Sequence, residues 1–173
     1  MQIHGDNFTL RGWFPEDAAA LLKYADNPNI AACLLDRFPH PYTLQDANNW
    51  ISRLQDQNPL KNFAIAINGE VAGGIGLEFR TDIYHKTPLL GYWLAECYWG
   101  KGIMPKAVKL VSDYAFKQLD VICILAYVFS KNPNSMRVLE KAGYQQQGII
   151  KRSVIKNGEI LDEHIYACNG ITL

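Results

Sequence analysis

LGYWLAECYWGKGIMPKAV, residues 90–108, runs a strand, a two-glycine turn and a helix start together without a break. A loop that only had to turn could manage with one glycine. Gly100 and Gly102, either side of Lys101, suggest that something approaches the backbone closely. The first N–H groups of a helix lack internal partners and carry partial positive charge. Without Cβ atoms in the way, a pyrophosphate fits there. Lys101 either adds a charge or points to solvent, and Pro105 is tolerated where no donor is needed. The dinucleotide fingerprint would need a glycine where Pro105 stands, and the P-loop spacing and its Ser/Thr are missing. A tight strand–helix turn with no ligand is the competing reading.

Downstream, Ala107, Val108, Val111, Tyr114, Ala115 and Leu119 repeat at three and four and predict a helix. VICILAYVF (121–129) is an unbroken apolar run, expected to be a strand buried on both faces. KNPNSMRVLEKAGY (131–144) predicts a short helix with Asn134 or Ser135 near its start and Gly143 as its stop. Asn157-Gly158 then predicts a closing hairpin. Upstream, FAIAI (63–67) and EVAGGIGLEF (70–79) flank Asn68-Gly69 as another hairpin. Gly73, Gly74 and Gly76 suit a strand that is bent or closely approached. The N-terminal part predicts a strand at 8–13, a helix from Pro15 that Asn27-Pro28 stops, and a second helix capped by Thr43. The second helix places Ala47, Trp50, Ile51 and Leu54 on one face, with Trp50 expected in the core. The sum is one mixed α/β sheet in a single domain over residues 1–173.

The 173 residues hold 17 basic and 17 acidic side chains, so no charge footprint for nucleic acid or an anionic membrane is expected. Cys33, Cys97, Cys123 and Cys168 lie far apart and the histidines lack ligand spacing. Neither a metal site nor a disulfide framework is expected, and reduced thiols point to a cytoplasmic location. No apolar run is long enough to span a membrane.

LGYWLAECYWGKGIMPKAV, with NPNSMRVLEKAGY after it and NGEILDEHIYA near the end, closely resembles the Gcn5-related N-acetyltransferase (GNAT) superfamily. The likeness spans residues 60–168, Asp162 and Tyr166 included, and is to the ribosomal-protein, RimJ/RimL-type branch. The resemblance implies a mostly antiparallel mixed sheet with a splayed pair of strands, flanked by helices. It also implies acetyl-CoA as acetyl donor. The pyrophosphate would lie on the amides of Gly100, Lys101, Gly102, Ile103 and Met104. The pantetheine arm would pair with Trp93, Leu94 and Ala95, where parted strands free backbone groups. An N–H near Leu94 would polarise the thioester carbonyl. Asn132 aligns with an asparagine that contacts the arm, and Ser135 with a serine that can protonate the leaving thiolate.

The chain also departs from the family. The two usual positions for a glutamate base are Leu89 and Val154, and the usual tyrosine acid is Leu139. Glu78 and His85 remain as base candidates, against bland readings as a strand-end charge and an exposed loop residue. Ser135 has a competing reading as a helix cap, and Cys97 reads as a loop residue. Trp13, Phe38, Tyr42, Trp50 and Tyr84 are candidate lining residues for the acceptor. The expectation is an N-acetyltransferase acting on a small-molecule or peptide amine by direct attack in a ternary complex, with a homodimer open as its assembly. The alternatives are a catalytically weak acyl-CoA-binding module or sensor, or an enzyme using another acyl donor.

Overall fold

The computed structural model describes residues 1–170. The end of the predicted single domain, 171–173, lies outside the described residues. The chain forms β1 (Gln2–His4), β2 (Thr9–Arg11), α1 (Ala18–Ala25), α2 (Pro28–Ala31), α3 (Leu44–Ser52), β3 (Asn62–Ile67) and β4 (Glu70–Glu78). Then come β5 (Leu89–Leu94), α4 (Ile103–Gln118), β6 (Cys123–Phe129), α5 (Pro133–Lys141), β7 (Gln145–Lys156) and β8 (Glu159–Asn169). The strands make one mixed sheet in the order β1-β2-β3-β4-β5-β6-β8-β7. The expected splayed strands are β5 and β6, whose parallel register holds one pair, Leu89 opposite Leu125. By contacts the chain divides into two compact units. One is Met1–Gly76 with Tyr92–Ile103, and the other is Leu77–Gly91 with the chain from Met104 onward.

In the first unit, β2 leads into a 3-10 turn at Pro15–Asp17 and then α1. Asp17 is buried and accepts two bonds from Arg11 (2.7 and 2.8 Å) and one from Phe14 N (2.8 Å). That full pairing is what makes a buried carboxylate tolerable. The expected stop at Asn27-Pro28 is also a start: the Asn27 side chain accepts from Asn29 N at 2.8 Å and caps α2. Thr43 caps α3 as expected, with Asp46 closing a capping box. Ala47, Ile51 and Leu54 turn into a core with Trp13, Leu21, Tyr42, Ala64 and Val71. Trp50 corrects the expectation of a core residue. It sits on the shoulder of the apolar face, 37% exposed, with its ring 6.5 Å edge-on from that of Trp13.

In the second unit, α4 turns Ala107, Val108, Val111 and Ala115 inward. Ser112 Oγ bonds Val108 O and the Tyr144 hydroxyl, both at 2.8 Å. With the Ser112 proton spent on the carbonyl, Tyr144 is the donor in the second bond. β6 corrects the expectation of burial on both faces. Ile124, Ala126 and Val128 are buried while Tyr127 is 39% exposed, so one face is covered and the other half open. Unbroken apolarity concealed that alternation. Both Asn-Gly turns have positive φ at each central residue, 51° and 84° at Asn68-Gly69 and 50° and 78° at Asn157-Gly158. That is the twist-matched hairpin turn which those dipeptides favour. Gly143, at φ 92°, ends α5 as predicted. Among the described residues, no helix is long and apolar enough to cross a membrane.

Candidate active site

The turn between β5 and α4 has the conformation its glycines suggest. Gly100 and Gly102 adopt φ of 74° and 73°, the left-handed region that L side chains avoid. A Cβ built at either would meet no protein atom within 4 Å, so both face open space. The ladder of α4 supplies no i−4 partner for the N–H groups of Ile103 and Met104, and Pro105 falls where no donor is lost. Backbone N–H groups bared in such a turn suit an anion. Lys101 is exposed with its Nζ 5.1 Å from the centroid of the Tyr98 ring. Glu96 anchors the approach to the turn, accepting from Asn27 (2.7 Å) and Asn29 (3.1 Å). These bonds hold its carboxyl below the usual range.

The strand leading into the turn is tightly committed. Ala95 N donates to Ala72 O at 2.7 Å, and the Trp99 indole donates to Leu94 O at 2.7 Å. The Ala95 N–H and the Leu94 carbonyl are thus engaged within the chain. Backbone groups alternate sides along a strand. With Ala95 N–H aimed at β4, the Leu94 N–H points away from it.

Asn132, not Asn134 or Ser135, is the cap of α5. Its Oδ1 accepts from Ser135 N at 3.1 Å. The cap uses the Asn132 carbonyl oxygen, so its amide nitrogen takes no part in it. Replacing Asn132 with Ala should cost about 1 kcal/mol of stability, seen as a lower urea midpoint with an unchanged slope. Glu78 lies exposed at the end of β4. His85 is an exposed loop residue with Nδ1 2.7 Å from Asp82 O. Cys97 is also exposed. No group of three or more His, Cys, Asp or Glu among the described residues could hold a metal ion.

The chain is similar to known proteins. Residues 7–145 fit the model of the acetyltransferase (GNAT) domain. The chain belongs to the GNAT family. The probable N-acetyltransferase YjcK of Bacillus subtilis (strain 168) is 46% identical over 82 residues, 47% of this chain and 45% of that protein. The chain thus spans about half the length of that relative in the match. An uncharacterized N-acetyltransferase of Bacillus licheniformis, p20, is 26% identical over 95% of this chain and 94% of its own. Among solved structures, Mycobacterium smegmatis RimJ in complex with a CoA-disulfide has a TM-score of 0.82 at 24% identity, covering 94% of this chain and 81% of RimJ. The likeness to the RimJ/RimL branch is one of fold.

Within this GNAT domain the aromatic candidates divide. Trp13 and Tyr42 are core residues, Phe38 and Trp93 are half-buried, and Trp50 and Tyr84 are exposed. Burial pushes the Tyr42 hydroxyl up to about 12, so it stays protonated. Arg80 covers the Tyr84 ring at 4.6 Å. Asp162 accepts from Lys151 Nζ and Arg152 N, both at 2.9 Å, which holds its carboxyl down. Its neighbour Glu163 is a proton-acceptor candidate that sequence reasoning missed. It is half-buried, and burial pushes its carboxyl up, the direction a general base needs. The run Asp162-Glu163-His164 does not reveal which carboxylate faces apolar surroundings.

Proposed function

We propose that the chain is an acetyl-CoA-dependent N-acetyltransferase, acting as a single domain over residues 1–173. It would transfer acetyl to the primary amine of a small molecule or peptide by direct attack in a ternary complex. The observation carrying this reading is the left-handed Gly100–Gly102 turn, open on its outer side and leading straight into α4. Acetyl-CoA supplies the acetyl group as an activated thioester. The amides of Gly100, Lys101, Gly102, Ile103 and Met104 hold the diphosphate, and the end of β5 at Trp93–Ala95 aligns the arm. Leu94 N–H polarises the thioester carbonyl, and the Asn132 amide donates to the arm. Glu78 takes the proton of the attacking amine, and the Ser135 hydroxyl returns one to the leaving thiolate. Alignment supplies most of the acceleration in such a reaction. The reading includes a cytoplasmic location, no metal and no nucleic-acid or membrane partner, and it allows a homodimer.

The test is thiol release from acetyl-CoA with a panel of amines, beside calorimetry with coenzyme A. Ser135→Ala and Glu78→Gln should each lower kcat by about a hundredfold while binding holds. A loss in Glu163→Gln instead of Glu78→Gln would reassign the base. Leu89 and Val154, apolar where the family's glutamates stand, favour a second reading as an acyl-CoA-binding module. Tight binding with no turnover on any amine would establish that reading and end the first.

A further inference from the structure

We infer that Trp13 determines acceptor specificity: its buried indole N–H recognises an oxygen carried beside the reacting amine of an aromatic acceptor. The inference rests on the acetyltransferase reading above and adds the substrate class. Trp13 is 4% exposed, and its Nε1 is buried without a hydrogen-bond partner. Buried polar groups are almost always paired, so an orphan donor calls for an explanation. The N–H lies in an aromatic setting. The place of a Cβ on Gly74 is 3.1 Å from Trp13 Cζ2 and 2.9 Å from Trp93 Nε1, so Gly74 lets two indoles approach the same point of β4. Phe38 packs against both Trp93 and Tyr42, with centroids 6.0 and 5.2 Å apart. Trp50 stands edge-on to Trp13 and faces solvent, so the cluster has one wall on the surface. Trp93 is also the strand residue assigned to the donor's arm, which places these groups on the chain segment where acetyl transfer is proposed.

The charge pattern narrows the ligand. Of the carboxylates near these residues along the chain, Asp17 pairs with Arg11, Asp26 accepts from Tyr42 N at 2.9 Å and lies 3.3 Å from His40 Nδ1, Asp46 accepts from Thr43 N, and Glu16 is turned out to solvent. Tyr42 stays neutral. The cluster therefore offers aromatic faces and an N–H donor. That combination selects an amine with an aromatic group and a neighbouring carbonyl oxygen over a polyamine, which has no oxygen to accept. A site built around a hydrogen bond rejects the analogue that lacks the partner.

The experiment compares L-phenylalaninamide with 2-phenylethylamine, which lacks the carboxamide, and with spermidine, using the whole chain and acetyl-CoA. We expect kcat/KM for the amide to exceed that for 2-phenylethylamine at least about tenfold. In Trp13→Phe, which keeps a ring and loses the N–H, the ratio should fall toward one while calorimetric affinity for coenzyme A holds. In Trp50→Ala, which removes the cluster's outer wall, KM for the amide should rise while calorimetric affinity for coenzyme A holds. This variant and the parent's ratio decide the matter if Trp13→Phe fails to fold. A parent ratio near one overturns the inference. So does a ratio that Trp13→Phe leaves intact, which would mean the N–H is spent on a neighbouring ring face. Turnover of spermidine with neither aromatic amine overturns the inference and leaves the acetyltransferase reading standing. No turnover of these three amines overturns the inference, and the acetyltransferase reading falls only if the wider amine panel is silent too.

Discussion

Gly73→Ala should destabilise the chain by about 2–3 kcal/mol and lower its melting temperature by roughly 5–10 °C. The added Cβ would lie 2.6 Å from the carbonyl oxygen of Trp93 and 3.2 Å from Leu94 Cα, both backbone atoms, and 3.0 Å from Leu94 Cδ1. A side-chain tip could swing away, but a main chain already fixed by Ala95 N to Ala72 O (2.7 Å) has nowhere to go. Replacing glycine removes conformational freedom from the unfolded chain, an offset of about 0.4–1 kcal/mol. Overpacking against backbone wins because it exceeds that offset. Gly91→Ala provides the control on β5 itself. Nothing lies within 4 Å of its Cβ position, so the same change should be neutral or slightly stabilising. Urea titrations of the two variants check the pair. A Gly73→Ala midpoint equal to that of Gly91→Ala would mean that the approach of β5 to β4 is not tight. Because Trp93 and Leu94 are the atoms displaced, the surviving folded fraction should also bind coenzyme A more weakly.

How far such features could be read in advance depended on whether their cause was local. The hairpin turns, the Thr43 cap and the Gly143 stop each arise from a few adjacent residues, and each was legible. The Gly100–Gly102 turn was legible for the same reason, since positive φ is a property of the residue itself. The triplet Gly73, Gly74, Gly76 announced a close approach but not what approaches. That answer, Trp93 and Trp13 for Gly74 and Asn62 for Gly76, lies in other segments. β1 is three residues long and too short to show a period. Asn27 was read as an end because capping and stopping use the same residue types. The cap of α5 was misplaced by residues that all cap well, Asn132, Asn134 and Ser135. Only the bond to Ser135 N distinguishes them. The half-buried state of Glu163 and the orphan N–H of Trp13 are set by packing, and no local pattern encodes either.

Gly102→Ala should raise the dissociation constant for coenzyme A at least about tenfold, equivalent to about 1.4 kcal/mol, and raise KM for acetyl-CoA with a smaller effect on kcat. Two costs must be separated. The first is backbone strain: at φ 73° an L residue is disfavoured by roughly 1–2 kcal/mol, whatever space surrounds it. The second is the loss of the bare surface over the amides of Gly102, Ile103 and Met104, where a methyl group would hold a diphosphate oxygen away from hydrogen-bond distance. Gly158→Ala isolates the first cost. Gly158 has φ 78° and an equally empty Cβ position, but it lies in the β7–β8 turn. Both variants should therefore lose similar stability in a melt, and only Gly102→Ala should lose affinity. Lys101→Ala should cost less than either, and its effect should shrink as salt is raised, because its exposed Nζ rests over Tyr98. Equal coenzyme A affinity in Gly102→Ala and Gly158→Ala would leave the two glycines as a turn alone. The diphosphate would then have to be sought elsewhere on the chain. A loss confined to Gly102→Ala would tie the ligand to the helix entrance, because strain alone is common to both variants.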